Sequence, residues 1–350
     1  MRTAGDRRFM VDCRWLGPGG AGTVTDLFLR GCAAITPEGE WTLWGPAPVE
    51  DRLWPGAHYH PGYRSPKALA GQRDWWAVPD ADVSLFLHQV RPLSGNPSVT
   101  TIYDTVQTRF GRHRRAKRLY LRAVARSSRA VITISEASRR RLIEDLGVDP
   151  ETIEVVRLPL DPLLVDRIDQ TRSRSVIEPV LLYVGRFAAH KNLSRLIQAF
   201  GTTRFRAAGG RLLLVGGTAA EAAQLRSQSG SLQGIEIRPA CSQQEIEDLY
   251  ARCTAVILPS LEEGFGLPAW EALTCGIPVA ISDAAALREA TMGLVDAFPA
   301  TSERTMSAAI DRTTTESRSD TVERARKART GAPDIASFAR RICRLLVNRG

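Results

Sequence analysis

The stretch LPSLEEGFGLPAWEALTCGIPVAIS, residues 258–282, contains in order the end of a strand, a Gly-rich loop and a helix. The apolar run AVILPS predicts a buried strand that ends at Pro259, and Pro268 suits the first turn of a helix. Gly264 and Gly266 allow the loop backbone to approach a ligand closely. The stretch therefore predicts a strand–loop–helix unit of an α/β protein.

The same alternation of strand and helix recurs along the chain. Continuous apolar runs predict parallel strands in FMVDCRW, VSLFLH, SVTTIYD, AVITIS, IEVVRL, PVLLYVG, RLLLVGG, AVILPS and IPVAIS. Helical patterns lie at 116–128, 136–146, 191–200, 218–228, 242–252 and 267–275. Together they predict doubly wound α/β architecture.

The length of 350 residues suggests two such domains. A polar, Pro-bounded segment near 159–179 interrupts the alternation and suggests a linker. We predict an N-terminal domain at 1–165, a linker at 166–178, a C-terminal domain at 179–332 and a final helix at 333–350. Ligands bind beyond the carboxyl ends of the strands in such sheets, so we expect a cleft between the two domains.

The composition limits the classes of protein that remain. A hydrophobic fraction of 43% and a charged fraction of 24% exclude wholesale disorder. No apolar run reaches the length of a bilayer span, and the N-terminus lacks an apolar signal core. Six cysteines form no C-x-x-C pair, and His58, His60 and His113 have no metal-ligand neighbours. We expect a cytoplasmic protein.

Two acidic residues flank the Gly-rich loop. Glu263 lies in the loop, and Glu271 follows eight residues later on the helix. The free N–H groups at the start of the helix favour an anion, and carboxylates accept hydrogen bonds from adjacent hydroxyls. This combination suits a sugar that carries hydroxyls and phosphates. The alternative is that both are ordinary acidic residues near a helix N-terminus.

The stretch EEGFGLPAWEALTCGIPV resembles the nucleotide-sugar signature of the glycosyltransferase family 4 enzymes, including its E-x7-E element. The resemblance extends to LLYVGRFAAHKNLSRLIQAF, which is similar to the family's G-R-x-x-x-x-K-N segment. VDCRWLGPGGAGT resembles the family's first strand and Gly-rich turn, and ITISEASRRRLIEDLGVDPETIEVVRLPLD resembles the end of its N-terminal domain. Most of the chain is covered.

The resemblance implies a GT-B fold, in which two Rossmann-like domains face a cleft and a C-terminal helix crosses back to the N-terminal domain. It implies transfer of a sugar from a nucleotide-sugar with retention of configuration and without a metal or other cofactor. By position, Arg186 and Lys191 would hold the donor diphosphate. Glu263 would bind the transferred sugar and Glu271 the ribose. The donor site implied is completed by the backbone at Gly264, Phe265, Gly266 and Leu267.

The N-terminal side departs from the family pattern at two places. Gly19, Gly20 and Gly22 suggest a loop that approaches phosphate or acceptor, although a tight turn is an equal alternative. The family often has Arg after the last glycine of this loop, where this chain has Thr23. That difference argues against a direct cationic contact from the loop.

A second departure lies in SVTTIYDTVQTRF, which aligns with a family segment that commonly reads T-x-H-D. Tyr103 replaces the usual His and precedes Asp104. Tyr103 could position the acceptor by a hydrogen bond, because the donor phosphate itself can take the acceptor's proton in a retaining front-face mechanism. The resemblance places Asp104 with Tyr103 in the catalytic site, and the alternative for Asp104 is a turn residue at a strand end. His88 follows a strand and is either a cleft residue or a buried, satisfied His.

The net charge of +9 has a local origin. Between Arg109 and Arg129 lie nine basic and no acidic side chains, and the rest of the chain is balanced. Six of them recur at spacings of three or four and predict one helical stripe: Arg112, Arg115, Arg118, Arg122, Arg126 and Arg129. The predicted membrane or acceptor surface comprises the first four of these. Three interpretations remain: a solvated face, a surface for anionic lipid or a lipid-diphosphate acceptor, and a nucleic-acid surface. No recognisable nucleic-acid-binding motif accompanies the basic residues, so we do not expect a nucleic acid as a partner.

The expected activity is transfer of a hexose, such as mannose, from a UDP- or GDP-sugar to a glycan or lipid-linked acceptor. The resemblance points to bacterial cell-surface polysaccharide or glycolipid synthesis, on the inner face of the plasma membrane if the basic stripe binds lipid. The alternatives are a GT-B nucleotide-sugar epimerase or hydrolase, and a catalytically silent binding protein. The sequence leaves the oligomeric state open.

Overall fold

The structure of the protein, a computed structural model, describes residues 4–17, 19–45, 54–61, 78–93, 95–110, 113–229 and 233–349. The chain forms two compact units. Unit 1 comprises Met1–Leu160 and Pro333–Gly350, and unit 2 comprises Asp161–Ala332. All the strand pairings that the structure describes are parallel.

The strands are short, as is usual in doubly wound sheets. They are β1 (Arg8–Asp12), β2 (Glu40–Gly45), β3 (His58–Pro61), β4 (Val83–Phe86), β5 (Ser98–Thr101), β6 (Ala130–Thr133), β7 (Ile153–Val155), β8 (Glu178–Val184), β9 (Arg211–Val215), β10 (Ile235–Arg238), β11 (Cys253–Leu258), β12 (Val279–Ser282) and β13 (Ala297–Phe298).

Helices follow most of these strands. They are α1 (Gly20–Ile35), α2 (Val106–Arg109), α3 (Arg114–Arg126), α4 (Glu136–Leu146), α5 (Pro162–Arg172), α6 (Leu193–Gly201), α7 (Arg204–Ala207), α8 (Ala219–Ser229), α9 (Gln243–Arg252), α10 (Leu267–Thr274), α11 (Ala285–Ala290), α12 (Glu303–Thr314), α13 (Arg318–Gly331) and α14 (Ile335–Arg349). Side-chain caps fix several of their first residues: Ser242 and Glu245 form a capping box at the start of α9.

Each unit contains one open parallel sheet. Over the described residues, the strand order is β3-β2-β1-β4-β5-β6-β7 in unit 1 and β10-β9-β8-β11-β12-β13 in unit 2. The order reverses between β1 and β4 in the first sheet, and between β8 and β11 in the second. The carboxyl ends of these strand pairs are where such sheets bind ligands. The predicted architecture of two Rossmann-like domains is confirmed.

The last helix belongs to unit 1. Helix α14 packs against α1, where Gly31 permits close contact because a Cβ there would lie 2.5 Å from the Ile335 carbonyl oxygen. The sulfur atoms of Cys32 and Cys343 lie 4.0 Å apart at this contact. The chain leaves unit 1 after Leu160 and re-enters it at Pro333, and the N–H of Leu160 donates to the carbonyl of Pro333 at 3.1 Å. The predicted return of a C-terminal helix to the first domain is confirmed.

The core of unit 2 lies between its sheet and helices α6, α8 and α12. Leu181 and Tyr183 of β8 pack there against Ile197 and Phe200 of α6 and against Ile310 of α12. These side chains are almost completely buried. The apolar alternation of the sequence thus fixes β8 and α6 as one rigid block, which positions the loop between them.

The segment predicted as a linker, 166–178, contains most of helix α5, which lies in unit 2. Asp161 caps this helix, and its buried residues Leu164 and Ile168 pack inward. Arg167 of α5 forms an ion pair at 2.7 Å with Glu247 of α9. The outer face of α5 is polar, so the segment looks like a linker in the sequence. Its apolar residues nevertheless recur at a spacing that packs the helix against the rest of unit 2.

Candidate active site

Two cationic side chains follow β8, at the switch point of unit 2. Arg186 is exposed, and Lys191 ends a short 3-10 helix, Ala189–Lys191. The next residue, Asn192, has a left-handed φ of 61°. Its buried amide donates to the carbonyls of Pro259, at 3.0 Å, and Ala300, at 2.8 Å. Asn tolerates this conformation better than most residues, so it fixes the loop after β8 against the end of β11.

Lys191 and Glu263 are in direct contact. Lys191 Nζ lies 2.6 Å from Glu263 Oε1, and the side chains are only 16% and 10% exposed. The hydroxyl of Ser260 also donates to Oε1, at 2.8 Å. The pair joins the loops after β8 and β11, 72 residues apart in sequence. Burial strengthens such a charge-assisted contact and fixes both groups.

The loop after Glu263 leads into α10. Gly266 precedes the helix with a left-handed φ of 99°, which glycine adopts at no steric cost. The backbone N–H groups of Phe265, Gly266 and Leu267 donate to no acceptor in the part of the chain that the structure describes. These donors and the positive end of the helix form an arrangement that favours an anion or sugar oxygens.

Glu271 lies on α10 and contacts α9. The hydroxyl of Tyr250 donates to Glu271 Oε2 at 2.9 Å. Burial raises the pKa of Glu271 to about 7, although the hydrogen bond from Tyr250 lowers that pKa. Glu271 is therefore poised between its neutral and ionised forms near neutral pH.

Two glycines that sequence reasoning missed shape the same edge of the sheet. Gly185 and Gly216 follow β8 and β9, and a Cβ on Gly216 would lie 1.8 Å from the Gly185 carbonyl oxygen. The two loops therefore touch backbone to backbone just before Arg186. The repeated Val-Gly at the ends of two predicted strands was the available signal.

His190 also lies in this loop. Burial, and then the charge of Lys191, lower the pKa of His190 to about 4, with a smaller contribution from Arg186 in the same direction. Its carbonyl accepts a hydrogen bond from the N–H of Leu261 at 2.8 Å. His190 is thus a neutral imidazole beside the cationic pair.

The predicted residues of unit 1 have mainly structural contacts. Tyr103 donates its hydroxyl to the Leu87 carbonyl at 2.5 Å, and burial raises the pKa of Tyr103. Asp104 accepts from the N–H of Val106 at 2.9 Å, as a turn residue does. Their roles in catalysis stay predictions.

The Gly-rich segment differs from the predicted loop. Gly20 and Gly22 lie in the first turn of α1, and Gly19 precedes the helix with a φ of 106°. A Cβ on Gly22 would lie 1.7 Å from the carbonyl oxygen of Gly17. Gly22 is therefore needed for the contact between the helix and its own preceding turn, whatever the loop binds.

The basic stripe lies on α3, except for Arg112, which lies outside the described residues, and Arg129, which follows the end of the helix. Arg118 and Arg122 donate to the carbonyls of Asp145 and Leu146, at 2.7 and 3.1 Å. They therefore satisfy the last carbonyls of α4. Arg115 is exposed, with no such contact to a described residue.

Metal-binding clusters and membrane-spanning helices are both absent from the residues that the structure describes. No group of three or more His, Cys, Asp or Glu side chains there could hold a metal ion. No described helix combines the length and the apolar character that a bilayer crossing requires. Metal-free catalysis stays a prediction.

Known families match both halves of the chain. Glycosyltransferase Family 4 matches residues 19–162, and Glycosyl transferases group 1 matches residues 166–328. The chain is 28% identical to the MMP alpha-(1->4)-mannosyltransferase of Mycolicibacterium hassiacum, over 65% of this chain and 58% of that protein. It is 29% identical to the D-inositol 3-phosphate glycosyltransferase of Rhodococcus opacus, over 64% of this chain and 53% of that protein. The chain thus spans a little over half the length of these relatives.

The fold is also shared with solved structures. Anabaena HepE in complex with UDP-glucose superposes with a TM-score of 0.73 at 18% identity, covering 98% of this chain and 100% of HepE. The two family matches together cover most of the chain and describe one class of enzyme. The chain therefore belongs to the group 1/family 4 glycosyltransferases, enzymes with the GT-B fold.

Proposed function

We propose that this glycosyltransferase moves a hexose, such as mannose, from a UDP- or GDP-sugar to a glycan or lipid-linked acceptor, with retention of anomeric configuration. The observation that carries the proposal is the Lys191–Glu263 ion pair at the switch point of unit 2. The mannosyltransferase named above and the UDP-glucose bound by HepE are consistent with the sugar and with the donor class.

In this proposal Arg186 and Lys191 hold the donor diphosphate. Arg186 is exposed and Lys191 is held rigidly by Glu263 and the adjoining Asn192 loop. Two cations can neutralise the charge that develops on the leaving diphosphate. The backbone donors of Phe265, Gly266 and Leu267 supply further stabilisation of the same kind.

The two carboxylates then bind hydroxyls. Glu263 has one oxygen occupied by Lys191 and Ser260, so its Oε2 remains the better acceptor for a sugar hydroxyl. Glu271, whose Oε2 accepts from Tyr250, would bind the ribose hydroxyls through Oε1. Glu271 can do this well only when it is ionised.

The reaction proposed is a front-face displacement. The acceptor hydroxyl oxygen forms a bond to the anomeric carbon, while the bond from that carbon to the diphosphate oxygen breaks. The acceptor's proton passes to an oxygen of the leaving nucleoside diphosphate, so no protein base is required. Asp104 and Tyr103 would position the acceptor on the side of unit 1.

We place the enzyme in bacterial cell-surface polysaccharide or glycolipid synthesis, at the inner face of the membrane. Helix α3 supports this placement because Arg115 and Leu119 are exposed together, Leu119 by 66%. Basic residues beside an exposed apolar side chain suit an anionic lipid surface. Arg118 and Arg122 donate hydrogen bonds to α4, so these two residues support a lipid-binding surface less than Arg115 does.

A panel of UDP-, GDP- and ADP-sugars tests the proposal. Wild-type protein is titrated with each donor by calorimetry, and release of nucleoside diphosphate is followed with and without acceptors. We expect one nucleotide class to bind, with Arg186→Ala weakening that binding. Binding of none of them, or release of an epimer without any acceptor, would overturn the proposal.

A further inference from the structure

A buried tyrosine contacts the loop that carries Arg186. Tyr183 is the last residue but one of β8, and only 1% of its surface is exposed. Its hydroxyl donates to the carbonyl oxygen of Arg186 at 2.9 Å. The backbone of Arg186 makes no other hydrogen bond within the part of the chain that the structure describes. A single side-chain hydroxyl therefore holds the backbone of Arg186 there.

The residue between them, Gly185, leaves little space around this hydroxyl. A Cβ on Gly185 would lie 2.8 Å from the hydroxyl oxygen of Tyr183, and Gly185 has a positive φ of 152°. The carbonyl of Gly185 also meets the backbone of Gly216, as described above. Gly185 is thus in contact with the phenol and with the loop after β9, so the turn before Arg186 can move little.

The residue after Arg186 is packed as well. The ring of Phe187 is tilted by 34° against that of Tyr183, with their centroids 6.5 Å apart. A Cβ on Gly217 would lie 2.9 Å from the ring of Phe187, so this ring also meets the loop after β9. The side chain of Arg186 itself is exposed and makes no hydrogen bond or ion pair with a described residue. The backbone around Arg186 is therefore fixed, while its guanidinium is available to a ligand.

The hydroxyl of Tyr183 keeps its proton at neutral pH. Burial, and then the charge of Glu263, raise the pKa of Tyr183 well above its ordinary value. The phenol is therefore a permanent hydrogen-bond donor to the Arg186 carbonyl. Because its ring belongs to the core between the sheet and α6, the position of that donor is set by the rigid part of unit 2.

We propose that Tyr183 is a positioning residue for sugar transfer, whose hydroxyl holds the Arg186 carbonyl and thereby directs the Arg186 guanidinium toward the donor diphosphate. The proposal rests on the proposed function, since it assumes that Arg186 binds the diphosphate. Tyr183 touches neither the donor nor the acceptor and transfers no proton. It acts because a cationic group stabilises a leaving diphosphate only when its neighbours hold it in the productive place.

Tyr183→Phe removes the hydroxyl and keeps the ring in the core, so it tests the proposal directly. Four proteins form a double-mutant cycle: wild type, Tyr183→Phe, Arg186→Ala and the variant with both substitutions. Calorimetry measures the Kd of each protein for UDP, GDP and ADP, and the nucleotide that the wild type binds most tightly is compared across the four.

We expect Tyr183→Phe to raise that Kd about five- to tenfold, as the loss of one hydrogen bond that holds a charged group would do. In the Arg186→Ala background the same substitution should change the Kd by less than about twofold, because no guanidinium remains to be positioned. This non-additivity is the result that a merely structural role of Tyr183 would not produce.

Thr291→Val is the matched control for the loss of a buried hydroxyl. Thr291 is fully buried in unit 2, and its hydroxyl donates to the Leu287 carbonyl at 2.9 Å, a contact with α11. Urea denaturation should show that Thr291→Val and Tyr183→Phe are both destabilised. Only Tyr183→Phe should bind the nucleoside diphosphate more weakly, and equal weakening in both variants would overturn the proposal.

The cycle separates failure of this proposal from failure of the proposed function. Equal fold-changes from Tyr183→Phe in the wild-type and Arg186→Ala backgrounds would overturn the positioning role. An unchanged Kd in Tyr183→Phe, with a raised Kd in Arg186→Ala, would overturn it too and leave the donor site intact. A wild-type Kd in Arg186→Ala would remove Arg186 from the diphosphate site, and both proposals would then be wrong about this residue.

Discussion

Lys191 Nζ lies 2.6 Å from Glu263 Oε1, and this one ion pair connects the loops that follow β8 and β11. An ammonium group has three N–H donors, so in the proposed donor complex Lys191 can bind the diphosphate while it keeps its contact with Glu263 Oε1. Glu263 Oε2 then stays available for a hydroxyl of the proposed sugar. The ion pair fixes the two side chains relative to each other, although each lies on its own loop.

Lys191→Ala should lower the rate of transfer by about 100- to 1000-fold, because one electrostatic donor to a leaving group is worth about 3–4 kcal/mol. The expected loss is in kcat, measured as release of nucleoside diphosphate at saturating donor. Circular dichroism should show an intact fold. Turnover close to that of the wild type would exclude Lys191 from the diphosphate site.

Lys327→Ala is the matched control for that variant. Lys327 is in unit 2 and pairs with Glu323 at 3.6 Å, but its side chain is 54% exposed. Exposed pairs of this kind contribute about 0.3–0.5 kcal/mol, so activity and stability should both stay near wild type. A comparable loss of activity in both variants would indicate a general electrostatic effect.

Glu271 should make donor binding depend on pH. Its pKa lies at about 7, mainly because of burial. Below that pH the carboxyl becomes neutral and loses acceptor capacity for the ribose hydroxyls, so the donor Kd should rise by up to about tenfold per pH unit. Calorimetric titrations between pH 5.5 and 8 measure this slope, and Glu271→Gln should abolish it. A slope that persists in Glu271→Gln assigns the effect to another group.

The raised pKa of Glu271 also affects the free energy of unfolding, but here the favourable contribution decreases as the pH rises. The folded protein keeps the Glu271 proton up to about pH 7, whereas the unfolded chain releases it near the ordinary value of 4.5. Between these values the folded state binds more protons, so the contribution of Glu271 to stability falls as pH rises through this window. Tyr250→Phe removes a hydrogen bond that lowers the pKa, so the pH dependence of donor binding should move to higher pH.

Gly216→Ala should destabilise unit 2 by more than about 3 kcal/mol, since the new Cβ meets backbone and cannot be accommodated by a side-chain rotation. Gly209→Ala is the control, because Gly209 also has a positive φ, 89°, but no atom within 4 Å of its Cβ position. Gly209→Ala should lower the free energy of unfolding by about 1–2 kcal/mol, through backbone strain alone. Urea denaturation of both variants checks the difference, and equal costs would contradict the close approach of the two loops.

Membrane binding through α3 has a specific test at Leu119. Leu119→Glu replaces a side chain that is 66% exposed on the basic helix and should reduce flotation with vesicles of phosphatidylglycerol and phosphatidylcholine. Val322→Glu on α13, at a position 53% exposed in unit 2, is the control and should float like wild type. Equal flotation of wild type and Leu119→Glu would leave α3 as a solvated face.

The fold was predictable where strands are continuously apolar. β8 and β11 are buried over most of their length and were predicted within about two residues of their bounds. β2, β3, β10 and β13 were not predicted as strands. β10 carries Glu236 and Arg238 on one exposed face, so its apolar pattern is interrupted. Strands at or near the edge of a sheet form because they pair and pack with neighbouring strands, more than because of their own residue pattern.

The residues of the candidate site could be predicted from the sequence, but the contacts between them could not. Lys191 and Glu263 could be named from their motifs, whereas their ion pair depends on β8 and β11 being neighbours in the sheet. In unit 1, the stacking of the Trp15 and His88 rings depends in the same way on β1 and β4 being neighbours. The arginines of α3 were predicted as one stripe, but their bonds to α4 follow from helix packing that spacing alone does not encode.

Leu160 and Pro333, which are joined by a hydrogen bond, are the residues at which the chain leaves unit 1 and returns to it. This path of the chain has a consequence for biosynthesis. All of unit 2 is translated between these two residues, so a ribosome completes Asp161–Ala332 before α14 exists. Until then α1 exposes the small, apolar face around Gly31 and Cys32 that α14 later covers. We expect the nascent chain to pass through a stage in which the second unit is folded and the first is still open.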